Sequence, residues 1–448
     1  MKMRIVMLIL LVLAVGCTED PVEQPLTGID QQLSDLLTNL GDEKGKDYFR
    51  LPDSDEYGKI PQDPQNPLTP AKIELGKMLF HETALSVNPK NEAGRGTYSC
   101  ASCHHMQGGF QACLPQGIGD GGVGFGTTGQ NRIPDLAHYA TAEIDVQPLR
   151  TPSALNIAYQ ENVLWNGQFG AGGKNEGTED RWTINTPIAT NFYGYQGPEV
   201  QAIAGLTVHR MEVTPDLLTV APEYESMFAE AFPELAADAR ISNVTAALAI
   251  AAYERTLLAS ASPFQLWIRG NTEALSLAEK EGAMLFFGEA NCVTCHTGPA
   301  LSSMEFHAIG AADLMGDGVS GFNPEAPAHL GRGGFTGNTE DNFKFKVPQL
   351  YNLTNSPFYG HGASFTSVRD VVEYKNEAVS ENNKVPSTQL AAEFQPLGLT
   401  DEQMQQITLF IESSLNDPSL SRFLPDYLPS GQCFPNNDAE SKGDLDCL

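Results

Sequence analysis

The sequence predicts a mainly α-helical protein made of two related domains with long loops. Three observations carry that prediction. The string Cys-x-x-Cys-His occurs twice, at Cys100–His104 and Cys292–His296. Each copy follows a segment with the same Gly-x-Met-Leu-Phe core, Gly76–Phe80 and Gly282–Phe286. The rest of the chain, with 42 Gly and 29 Pro, has no alternating apolar run that demands a large sheet.

A length of 448 residues with 41% hydrophobic content fits two or three domains with ordinary cores. The charge balance, 27 Lys+Arg against 56 Asp+Glu for a net −29, excludes nucleic acid as the main partner because phosphate would be repelled. A basic protein partner suits such a surface better.

Lys2 and Arg4 precede an apolar run, Ile5–Val15, that ends at Gly16-Cys17. This is the layout of a secretory signal and is too short for a membrane span. Leu13–Cys17 resembles a bacterial lipoprotein box, which implies cleavage before Cys17 and a lipid on its thiol. Residues 1–16 are therefore read as signal and 17–65, with scattered Asp, Pro and Gln, as a tether. Export is expected, to the periplasm or cell surface, with the lipid as the only membrane contact. Thr18 after the cysteine favours the outer membrane by the same resemblance.

The first domain is placed at 66–238 and the second at 239–425. Thr69-Pro70 reads as N-cap and N1 of the helix before the first Cys pair, and Ser276 with Glu279 as the capping box before the second. Cys-x-x-Cys-His is the c-type haem attachment signature. Two thiols a turn apart each bond one haem vinyl group, and the adjoining His is held under the iron. Cys100, Cys103, Cys292 and Cys295 thus carry two covalently bound c-type haems, with His104 and His296 as iron ligands. Downstream, Thr151–Asn156 matches Val347–Asn352, and a ring follows each Asn at the same interval, Trp165 in one copy and His361 in the other. Residues 242–258 read as a helix between the two sites. In the tail, 426–448, Cys433 and Cys447 are expected to pair in an oxidising compartment, with a bond from Cys113 to the tail left open.

The order Leu75–Phe80, first haem site, Arg150–Asn156, Leu164–Gly167, second haem site, Phe345–Asn352 and His361-Gly362 resembles the bacterial di-haem cytochrome c peroxidases and their MauG-type relatives. The resemblance spans about residues 66–420. It implies two cytochrome c-like domains with haems facing a shared interface, and reduction of hydrogen peroxide to water with electrons from a small donor such as cytochrome c. One haem reacts with peroxide while the other stores and relays electrons. Rival readings are a MauG-type enzyme that oxidises a partner protein's side chain and a non-catalytic di-haem carrier. A homodimer is left open, as the family often forms one.

Family members that need reductive activation carry a displaceable His in an Ile-Gly-His context. Here the string is Gln116–Asp120, so the first haem is expected to be five-coordinate or to hold only water, with His138 as rival ligand. For proton transfer the resemblance points to Gln201, and to Glu212 or His209 where its Glu position is blurred. The inter-haem Trp falls on Trp165, although Asn166 and Gln168 replace the usual Asp and Arg. Opposite His296 the ligand place falls on Lys375, with Tyr374 as runner-up and Met304 and Met315 as outsiders. Asn156 matches a calcium-binding Asn that acts with carbonyls near Ser356 and Phe358; a buried Asn satisfying local backbone groups is the equal alternative.

Overall fold

The computed structural model describes residues 28–447. The signal and Cys17 lie outside the described residues. The helices are α1 (Ile29–Leu40), α2 (Pro70–His81), α3 (Gly197–Val208), α4 (Pro215–Val220), α5 (Glu223–Ala231), α6 (Asn243–Arg255), α7 (Pro263–Ile268), α8 (Leu277–Phe287), α9 (Arg332–Thr336), α10 (Val368–Glu377), α11 (Asp401–Leu409) and α12 (Ala439–Asp444). Strands among the described residues are four two-residue segments in two antiparallel pairs, Gly122–Val123 with Ile133–Pro134 and Phe306–His307 with Phe345–Lys346. The expected mainly helical class holds.

The caps form as read. Thr69 Oγ1 accepts from the Lys72 amide, and Ser276 and Glu279 make the reciprocal box. Behind these caps, α2 crosses α6 and α8 crosses α11. The crossings are close because of the repeated glycines. A Cβ on Gly76 would stand 1.8 Å from the Ala249 carbonyl oxygen of α6, and one on Gly282 would stand 2.1 Å from the Gln406 oxygen of α11.

The repeat extends further. Asn156 and Asn352 both adopt left-handed backbone, with φ of 58° and 53°. Each donates its amide to a segment that follows a later helix, Asn156 to Leu257 O and Asn352 to Leu415 O. Each side-chain oxygen then accepts from the amide two residues on, Ala259 and Asp417. Bridges at Val163–Phe169 and Tyr359–Phe365 occupy matching places. Within the stretch read as a helix at 242–258, α6 packs on α2 and α3.

The stretch read as a tether is folded from Ile29. Its apolar residues recur at helical spacing, and Leu33 and Leu37 are fully buried. α1 packs on α8, with Asp30 accepting from Trp267 Nε1 and paired with Lys280. Further along, Leu51 N–H donates to Gln265 Oε1, then Asp63 accepts from the Gln196 amide and Pro61 from Arg255. The segment straps the second domain to the first. The scattered polar residues masked a short amphipathic period. At the other end the Cys433–Cys447 disulfide forms, and the tail lies on the first domain, where Pro435 O accepts from Ser99 Oγ and Asp438 from the Gly124 amide. Cys113 stays unbonded, donating its thiol to the Asn355 carbonyl.

Gly→Ala inside a helix normally gains about 1 kcal/mol. At Gly76 the sign reverses: Gly76→Ala is expected to lose about 1–3 kcal/mol through overpacking against α6. Gly205→Ala in α3, whose Cβ meets nothing nearer than Gln201 Nε2 at 3.4 Å, is expected to be neutral or stabilising. Thermal midpoints of the two variants check the contrast.

Candidate functional site

Each attachment motif forms one turn of 3-10 helix, Cys100–Ser102 and Cys292–Thr294. The four cysteines of the two motifs carry no disulfide. The two histidines are held alike, His104 Nδ1 3.2 Å from the Phe110 carbonyl oxygen and His296 Nδ1 3.0 Å from that of Leu301. With the proton on Nδ1 shared with a carbonyl, Nε2 presents the lone pair that binds iron. Burial pushes both imidazoles down to about 4, so both are neutral, as ligation requires.

Cys292, Cys295 and His296 open into a cavity of ≈ 380 Å³ with an apolar wall that includes Phe286, Val347, Leu350 and Val372. Two buried cations reach the same cavity. Arg150 donates to Gln111 and Ser356 while its Nε has no partner among the described residues. Lys346 rests its ammonium on Gln160 and the Asn162 carbonyl, and burial pushes it down to about 7. Neither forms an ion pair with a carboxylate among the described residues, which is costly for a buried cation. A group that is flat, apolar and edged with carboxylates would fill the wall and supply the missing counter-charges. Haem is such a group, and the residues fit it. Arg150 and Lys346 each stand six residues before the paired asparagines, so the repeat itself held this signal, but their role was missed.

The domains meet around these cations. The Arg150 amide donates to the His361 carbonyl at 2.9 Å, and the Lys346 amide donates to the Trp165 carbonyl at 2.7 Å. The two rings at matching places in the repeat therefore face one another, Trp165 and His361 lying edge to face with centroids 6.2 Å apart. Trp165 Nε1 donates to the Arg150 carbonyl, and His361 stacks on Phe345 at 3.5 Å. Asn166 and Gln168 bond each other.

Lys375 lines the cavity, its Nζ 5.1 Å from the Phe394 ring centroid. Burial lowers its pKa, against the opposing pull of the Cys295 and Cys292 thiols. Tyr374, next to it on α10, packs instead among Phe365 and Phe394 and donates its hydroxyl to the Ile309 carbonyl at 2.6 Å. Met315 is exposed, and neither it nor Met304 lines the cavity.

Around the first site, Asp120 is fully buried and committed. It accepts from Tyr139 OH at 2.6 Å and the Lys90 amide at 2.8 Å, and pairs with Arg210. His138 is exposed and turned to Asp135. His209, at the C-cap of α3, places Nδ1 2.8 Å from Asp145 Oδ2 and lies close enough to His104 for its charge to depress that imidazole. Burial acts to lower the His209 pKa, but the charge of Asp145 and its hydrogen bond outweigh that and raise it. Glu212 is placed differently, accepting from Asn88 in an exposed contact. Gln201 is half-buried on α3. The structure thus separates the two acid/base candidates. Asn156 is buried with its side-chain oxygen already accepting from Ala259, the structural alternative stated above.

A family profile described as di-haem cytochrome c peroxidase matches residues 70–273. Among curated relatives, the methylamine utilization protein MauG of Methylorubrum extorquens is 28% identical over 377 residues, 84% of this chain and 85% of that one. Over most of its length the chain is similar to di-haem cytochrome c peroxidases and MauG proteins. Cytochrome-c peroxidase IdrP1 of a Pseudomonas species is 27% identical over 81% of this chain and 85% of its own. The cytochrome c peroxidase Ccp of Escherichia coli is 25% identical over 74% of this chain and 60% of its own. A crystal structure of a MauG-like protein associated with microbial copper homeostasis superposes with a TM-score of 0.57 at 23% identity, covering 84% of this chain and 98% of the other, a likeness of fold. Two c-type haems are what that likeness implies.

Since only Lys375 of the neighbouring pair reaches the cavity, Lys375→Ala is expected to change the absorption spectrum of the second haem. Tyr374→Phe is expected to leave that spectrum as it is and to cost stability alone, about 1 kcal/mol for the hydrogen bond to Ile309.

Proposed function

We infer that this chain is a di-haem c-type peroxidase that reduces hydrogen peroxide to water with two electrons from a small donor protein such as cytochrome c. The observation that carries the reading is the difference between the sites. The second has a candidate capping amine in its cavity, while at the first the carboxylate and the imidazole that could have capped the iron, Asp120 and His138, are engaged elsewhere. When bound, the first haem supplies an iron with an open position for peroxide and the second supplies a reservoir for an electron.

The chain's own residues do the rest. His104 and His296 would hold the irons, and Arg150 and Lys346 would balance the propionates. His209 is the preferred proton carrier: Asp145 fixes its Nδ1–H and leaves Nε2 free to accept or give a proton, the base-and-orienter arrangement of many hydrolytic and redox sites. Gln201 provides an amide about two turns earlier on α3, and Glu212 is the weaker candidate. Trp165 fills the gap between the domains along the electron path. Lys375 would hold the second haem's iron as a neutral amine, a form that burial favours. No cation is assigned to Asn156, whose oxygen already has a backbone donor. Lipid attachment at Cys17, placement at the outer membrane and a basic donor attracted by the net −29 charge belong to the same reading. No helix among the described residues is long and apolar enough to cross a membrane. The MauG-type reading loses ground because Tyr374, the residue that would stand for that type's Tyr ligand, keeps its hydroxyl on Ile309.

The test is to record the spectrum of the oxidised protein, add peroxide, then supply reduced cytochrome c. A high-spin ferric signal that responds to peroxide, followed by oxidation of the cytochrome, is expected. Two low-spin irons inert to peroxide would leave an electron carrier. His209→Gln is expected to lower peroxide turnover by about 10²–10⁴-fold and Glu212→Gln to change it little; equal rates in both variants and the parent would remove His209 from the mechanism.

A further inference from the structure

Glu254 stands in the last turn of α6, the helix that packs across α2. It is 6% exposed, and its Oε2 has no hydrogen-bond partner among the described residues. A carboxyl so placed is unusual, because buried polar groups are nearly always paired. The neighbouring guanidinium does not serve it. Arg255 gives Nε and Nη2 to both oxygens of Glu199, at 2.8 and 2.6 Å, with further bonds to Gln196 and Pro61.

The groups that face Glu254 come from three directions. Glu199 on α3 opposes its ionisation, Arg255 on α6 favours it, and Cys100 of the first attachment turn lies near enough for two negative charges to repel. Tyr253, beside it, donates its hydroxyl to the Phe423 carbonyl and is not a partner. Burial is the largest influence and pushes the carboxyl up to about 8. The group is therefore a buried, unpartnered carboxyl on the helix that packs on α2, which packs in turn on the first attachment turn, and its proton is held weakly near neutral pH.

We propose that Glu254 is a redox-linked proton site of the first haem. When the donor protein delivers one electron to the ferric haem, the net charge beside Glu254 falls by one and the carboxylate takes one proton from solvent. When the haem is reoxidised, the electron leaves for the acceptor and the proton returns to solvent. Charge near the cofactor is conserved across the pair of events, which favours electron entry in a low-dielectric interior. Glu254 touches no peroxide in this account; it is a positioning residue that acts through the haem's potential.

The inference rests on the haem assignment of the preceding section, and the experiment keeps the two apart. The midpoint potential of the first haem is measured in the purified holoprotein by spectroelectrochemistry between pH 5.5 and 9. The potential of the parent is expected to fall as pH rises through the titration of the carboxyl, and Glu254→Gln is expected to lose that slope while keeping both c-type haem bands. In infrared difference spectra, a protonated-carboxyl band that changes with the first haem's oxidation state is expected in the parent and absent from the variant. A variant that keeps the full pH slope overturns the proposal. So does a parent without a redox-sensitive carboxyl band, a result that does not depend on the variant folding. Absence of c-type haem bands from the parent would instead overturn the peroxidase reading.

Discussion

Two backbone hydrogen bonds govern the arrangement on which everything else relies: Arg150 N–H to His361 O and Lys346 N–H to Trp165 O. Each runs from one haem domain to the other, and each starts at a residue whose side chain is a buried cation at the shared cavity. The pair brings the aromatic members of the repeat edge to face and sets the separation of the domains. Displacing either strand of this junction would move a cation out of the cavity and separate the two rings together. Structure and charge placement are thus one constraint here.

The two domains differ where the repeat is broken. Both hold their proximal His by Nδ1 to a carbonyl, and both cross their helices at a glycine. After that they diverge. The second domain turns α10 so that Lys375 enters the cavity. In the first, the loop carrying Asp120 and Asp145 has its carboxylates taken by Arg210, Tyr139 and His209. The two sites therefore differ in what surrounds them, while the scaffold of crossed helices and paired asparagines is shared.

That division also explains what could be read in the chain alone. The attachment cysteines, both histidines, the caps at Thr69 and Ser276 and the matching Asn and ring positions all depend on local spacing, which a linear sequence displays. The packing of α6 on α2 at Gly76, and of the segment after it on Asn156, was not legible there, because these contacts connect residues more than ninety positions apart. The strap at Ile29–Leu40 was hidden by its polar face, and its burial depends on Trp267 and Lys280 far along the chain. Choosing between Lys375 and Tyr374, or between His209 and Glu212, needed the direction of side chains, which spacing fixes only within a helical turn. Glu254 carried no motif at all; its interest comes from the partner it lacks.

The chain ends have a further consequence. The N-terminal strap passes from the second domain to the first, while the disulfide-closed C-terminal tail returns from the second domain to lie on the first. Each half thus borrows part of its wall from sequence belonging to the other. A gene fragment encoding either half would expose apolar surface that the missing half normally covers, so the two haem units are inseparable as modules despite descending from one repeated pattern.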